Sequence, residues 1–172
     1  DKRGNIRVYK YNGNEWERLG GSLKGENVDD QVGYKGSFAM SRDGYTIAMG
    51  LRAVGSDDFD GPAGYVKVYQ YRSCCGWDLL GDPIRGEALG DVFGRSVSLS
   101  SDGLTVAGGT WVKDPSRPNP SSGRVRVFSY CESCHRWIQS GSDISPFGAS
   151  DWIHRVSLSS DGSRLAVSSA RA

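Results

Sequence analysis

Apolar and polar residues alternate in short runs along this chain. Between Ser96 and Val106 the apolar positions are Val97, Leu99, Leu104 and Val106, interrupted by Ser100-Ser101-Asp102-Gly103. A period of two makes one face of a strand apolar. An Asp-Gly pair between two such runs predicts a tight hairpin whose central residues both take positive φ. The same pattern spans 37–50 and 155–168. Its Asp-Gly pairs begin at Asp43, Asp102 and Asp161, each 59 residues from the last (43 to 102, 102 to 161).

Two further landmarks keep nearly the same spacing. Gly4-Asn5-Ile6-Arg7-Val8-Tyr9-Lys10-Tyr11 returns as Gly64-Tyr65-Val66-Lys67-Val68-Tyr69-Gln70-Tyr71 and as Gly123-Arg124-Val125-Arg126-Val127-Phe128-Ser129-Tyr130. Trp16, Trp77 and Trp137 are followed by Leu19-Gly20, Leu80-Gly81 and Ser140-Gly141. Three landmarks at one period define an internal repeat. Each unit of about 59–60 residues then holds four short strands: the Asp-Gly hairpin, the Gly-x-Val-Arg-Val-Tyr strand, and a strand carrying the Trp. Four-stranded antiparallel units at even spacing predict an all-β fold, a β-propeller arc. Ile6 and Val8 alternate with Arg7, Tyr9 and Tyr11, so both faces of a blade have material to pack on neighbours.

On this reading, 1–172 is a single partial propeller domain. It has a half blade at 4–20, a polar connection at 21–36, blades at 37–81 and 94–141, and a half blade at 155–168. Propellers close with about four to eight blades, so the arc is expected to be part of a longer chain or to be completed by partner chains. An open arc would leave apolar blade faces uncovered.

The 21 basic and 20 acidic residues give a net charge of +1. That balance removes the electrostatic case for nucleic acid or an anionic membrane as the main partner. The 24 glycines suit many turns rather than helices. No apolar run reaches the roughly 18 residues of a membrane span.

Phe93-Gly94-Arg95-Ser96-Val97, Asp102-Gly103, Val106-Ala107-Gly108-Gly109 and Gly123-Arg124-Val125-Arg126-Val127 together resemble the FG-GAP repeat of integrin alpha-chain propellers. The Ser-Ser-Asp-Gly hairpin also resembles the first hairpin of WD-type blades. The resemblance implies a seven-bladed ring. It is looser in the outer units, where Tyr34 and Trp152 stand for the Phe. Many FG-GAP blades carry an Asp-rich calcium loop between the first two strands. Here one carboxylate, Asp102, occupies that turn, too few oxygens for calcium, so that function is not implied.

Cys74, Cys75, Cys131 and Cys134 lie between the third and fourth strands of successive units. The reading favours disulfides in an oxidising compartment, extracellular or the secretory-pathway lumen, with Cys131–Cys134 stapling its own hairpin and Cys74–Cys75 an adjacent pair. Cys131-Glu132-Ser133-Cys134-His135 also has the C-x-x-C-H form of a haem attachment site, and the four cysteines with His135 have zinc-ligand chemistry. Asp57, Asp58 and Asp60 form an acidic loop suited to a cation or a partner. Arg117 and Asn119 lie in the proline-rich loop 113–122 at the matching place in the next unit. The Trp set reads as packing anchors. Arg7, Lys67 and Arg126 recur in register and read as solvated strand residues.

No triad, phosphate loop or paired-carboxylate motif occurs. The expectation is a non-catalytic scaffold with no catalytic residue, metal or cofactor, presenting loops to other protein subunits of an assembly. A glycan-binding propeller is the alternative, ahead of a metal-carrying, haem-carrying or catalytic one.

Overall fold

The computed structural model describes residues 3–26, 30–33, 37–51, 63–87, 92–110, 123–145 and 151–171. The chain is all-β, in several small antiparallel sheets, and no helix occurs among the described residues. At the start, β1 (Asn5–Ile6) and β2 (Tyr9–Tyr11) form one broken strand. β2 pairs with β3 (Trp16–Arg18), and β1 pairs with β4 (Leu23–Lys24). The next unit is a meander of β5 (Phe38–Met40), β6 (Thr46–Leu51), β7 (Tyr65–Arg72) and β8 (Gly76–Leu79), with β9 (Ile84–Arg85) returning to pair with β7. The third repeats it with β10 (Ser96–Leu99), β11 (Thr105–Gly109), β12 (Val125–Cys131) and β13 (Arg136–Gln139). The last unit holds only the hairpin of β14 (Asp151–Leu158) and β15 (Leu165–Arg171).

Strand register repeats with the sequence. Ala48 lies opposite Val68 in the second unit, and Ala107 opposite Val127 in the third. Alternation buries both faces of the middle strands. Ile47, Met49 and Leu51 pack back on Ile6, Val8 and Leu23, while Ala48, Val66 and Val68 pack forward on Phe93, Val97, Leu99 and Val106. Ala107 and Val125 pack on Ile153 and Val156. Each core cluster therefore joins one unit to the next, as strands buried on two faces require.

Three expectations change. The Asp-Gly turns are not two-residue turns with paired positive φ: Gly44, Gly103 and Gly162 are left-handed, but the aspartates are not. Each is a four-residue loop closed by side chains. Ser41 Oγ donates to Asp43 Oδ1 at 2.6 Å, Asp43 Oδ1 accepts from the Tyr45 N–H, and Ser41 Oγ accepts from the Thr46 N–H. The same bonds recur around Asp102 and Asp161. A carboxylate that accepts from its own loop needs the extra two residues.

The connections after the Trp strand are not merely polar. Gly20 and Gly81, both left-handed, turn the chain back to add β4 and β9 beside the start of the third strand, and Ile144 bridges Val125 in the same way. The place of Phe93 is taken by Val32 in the first unit and by Ile153 in the last; Tyr34, which the sequence put there, lies outside the described residues. Gly4 bridges Val32 as Gly64 bridges Phe93, and Ile153 lies against Gly123. Burial, not aromaticity, is what that position keeps.

Candidate functional site

The connections between second and third strands (52–62 and 111–122) leave from the same end of the sheets as those between units. At that end the third strand begins and carries the recurring cation. Lys67 and Arg126 are not solvated, as the sequence suggested. They are 4% and 2% exposed, because the neighbouring unit covers that face; Arg7, in the outermost unit, is exposed.

A buried cation needs a partner. Lys67 Nζ pairs with Glu26 Oε1. Arg126 Nη2 meets Glu87 Oε2 at 2.9 Å, and its Nε donates to Asp143 Oδ1 at 3.1 Å. Glu26 and Glu87 occupy equivalent places, each in a Gly-Glu step just after the returning strand, so each bridge ties a unit to the one before it. Both carboxylates stay largely exposed. Aromatic rings back the cations: Lys67 Nζ is 5.6 Å from the Tyr65 ring centre, and the Arg126 guanidinium 5.9 Å from that of Phe93.

The two bridges differ in their surroundings. Around Lys67, the Tyr65 hydroxyl donates to the buried Asp30 at 3.3 Å, and burial together with the charge of Glu26 pushes the Tyr69 phenol up. Around Arg126, burial tends to raise the Asp143 carboxyl. A bond from Gln139 and the charges of Arg126 and Arg124 outweigh it and hold the carboxyl below its ordinary value. The pattern is a surface carboxylate held against a buried cation, twice, about one repeat apart. Such a pair can orient water, and the cation can receive an anionic group that displaces the carboxylate. Sequence reasoning found the cations but missed Glu26 and Asp30, in a segment read as a polar connection, and Glu87 and Asp143, in segments given no role. The repeated Gly25-Glu26 and Gly86-Glu87 was the available signal.

Asp57, Asp58, Asp60, Arg117 and Asn119 lie outside the described residues. Cys74–Cys75 and Cys131–Cys134 are disulfides, in two separate turns at the opposite end of the sheets. With all four sulfurs oxidised, neither the haem nor the zinc reading has its ligands. Among the described residues no group of three or more His, Cys, Asp or Glu converges on a metal-sized site, and no helix is long and apolar enough to cross a membrane. Trp77 and Trp137 act as anchors between units: their indole N–H groups donate to the Leu19 and Leu80 carbonyls at 2.9 and 2.8 Å.

No family model matches this chain, and no curated protein matches it in sequence. Its fold resembles that of a solved structure from Bacteroides uniformis named a "putative 6-phosphogluconolactonase", with a TM-score of 0.57 at 12% identity. The match covers 95% of this chain and 40% of that one, so the chain spans less than half of that protein's length. The expectation of a non-catalytic scaffold is corrected here, because the protein whose fold is shared is named as an enzyme. The absence of a catalytic motif in one sequence did not warrant the exclusion, since a fold can bring together side chains that lie far apart along the chain.

Proposed function

We propose that the chain is an arc of a β-propeller hydrolase that opens a sugar lactone bearing a phosphate. The shared fold with a protein named for that activity carries the reading, and the paired charges at the loop-bearing end support it. Water adds to the lactone carbonyl, the ring C–O bond breaks, the ring oxygen takes a proton, and a hydroxy-carboxylate and one proton are released. Lys67 and Arg126 supply positive charge for the phosphate or for the oxygen that becomes anionic, and Glu26 and Glu87 orient the water. Two disulfides suit an extracellular or secretory-pathway setting.

The test is ring opening of a phosphorylated δ-lactone, followed by proton release and NMR. A rate that rises in proportion to protein concentration is expected. It should fall about 100-fold in Glu26→Gln combined with Glu87→Gln, both exposed and tolerant of exchange. A rate equal to that of buffer sinks the reading.

A further inference from the structure

We propose that the Cys131–Cys134 disulfide is a thiol–disulfide exchange site that oxidises a dithiol carried on a peptide. The inference does not depend on the lactonase reading, which uses the other end of the sheets. The pair lies in the turn between β12 and β13, and its two sulfurs differ in access. Cys131 is the last residue of β12 and is half-buried, whereas Cys134 and its neighbours Glu132, Ser133, His135 and Arg136 are exposed. An incoming thiolate therefore reaches Cys134 first.

The surroundings of Cys131 suit a leaving group. The Cys134 N–H donates to the Cys131 sulfur at 3.2 Å, and the Ser133 hydroxyl lies 3.4 Å from it. A disulfide sulfur carries no proton, so Ser133 is the donor. Its hydroxyl is farther, 3.9 Å, from the Cys134 sulfur. Two donors favour a thiolate over a thiol, and a stabilised thiolate departs faster. Arg136 lies directly opposite Cys131 in register, so its positive charge shares that face. Glu132 and His135 are the other ionisable groups of the turn. On the β11 side the Tyr130 N–H donates to the Leu104 carbonyl, and Asp102 of that turn is engaged by Ser100 and Leu104.

The frame persists when the S–S bond is broken. Tyr130 and Trp137, the next register pair, have ring centres 5.2 Å apart, and the Trp137 indole is tied to the Leu80 carbonyl. The reduced thiols therefore remain neighbours. Cys74–Cys75, in the equivalent turn of the preceding unit, is equally exposed, but among the described residues no hydrogen bond reaches either sulfur.

In the reaction a substrate thiolate attacks Cys134 Sγ, the S–S bond breaks, and its electron pair goes to Cys131 Sγ. The second substrate thiol, losing its proton, attacks the substrate sulfur of the mixed disulfide and releases Cys134 as a thiolate. The substrate leaves as a disulfide, and Cys131 and Cys134 take up the two protons it lost. Glutathione disulfide restores the pair and is itself reduced to two thiols. Among the described residues nothing walls in the tip, so it selects by reach, which suits a dithiol on a flexible peptide.

The test mixes the 172-residue chain with a reduced two-cysteine peptide and glutathione disulfide, and follows peptide oxidation by mass spectrometry. The expected rate rises in proportion to protein and exceeds glutathione disulfide alone by roughly tenfold. Cys131→Ser with Cys134→Ser should return it to background, whereas Cys74→Ser with Cys75→Ser should keep it. Ser133→Ala, at an exposed turn position, should slow it about fivefold without moving the thermal midpoint, and Ser133→Thr should restore it. In the reduced protein, alkylation of Cys131 should reach half its maximum about one pH unit below that of Cys134. A brief pulse of reduced glutathione should leave the mixed disulfide on Cys134. A background rate, a rate that survives loss of Cys131 and Cys134, an unaffected Ser133→Ala, or glutathione on Cys131 overturns the proposal.

Discussion

The hairpin aspartates illustrate how much one side chain settles locally. Asp161 accepts bonds from the Ser159 hydroxyl and from the Ser163 N–H and hydroxyl, which hold its carboxyl down at about 2. Asp43 is lowered by its bonds from Ser41 and Tyr45. A carboxyl whose folded value lies below its unfolded one stabilises the fold above the ordinary carboxylate range. That contribution is lost as pH falls through the folded value. Thermal melts between about pH 5 and pH 2 should therefore drop less steeply in Asp161→Asn than in the parent. A parallel drop would show that the turn contributes no pH dependence. The Arg126 bridge gives a second residue-scale test. Asp143→Asn should cost about 3 kcal/mol in urea denaturation, because it strips a partner from a cation that is almost wholly buried, whereas Glu87→Gln should stay within about 1 kcal/mol.

At the scale of the element, the returning strand depends on a glycine that serves two purposes. Gly81 is left-handed, and an added Cβ would lie 3.0 Å from the Tyr130 ring and 3.1 Å from that of Trp137. Gly141 has the same backbone, and among the described residues nothing lies within 4 Å of an added Cβ. Gly141→Ala should therefore cost only the left-handed penalty, about 1–2 kcal/mol. Gly81→Ala should cost at least about 1 kcal/mol more by displacing the ring stack between units. Equal denaturation midpoints would mean that the stack contributes little. The four strands of each unit were legible in the sequence because alternation and turn residues act within about ten positions. β4 and β9 were not. Two residues carry no period, and what makes them strands is the free edge of β1 and β7 left where the Trp strand peels away.

For the whole molecule, the consequence of the repeat is that each core cluster joins one unit to the next, so the stability of a unit depends on its neighbour.

Sequence alone determined the β class, the period near 59 residues, the order of strands within a unit and the cysteine pairs, because each rests on neighbours close along the chain. It also located Lys67 and Arg126, but as solvated residues. Only the tertiary structure buried them, since the covering face comes from a unit some 60 positions away and burial is a property of that contact. The same contact decided that Glu26 and Glu87 face those cations, and that Ala166 is exposed where Ala48 and Ala107 are not. Similar local sequence meets different surroundings, and the physical difference is whether a described unit lies against it to exclude water.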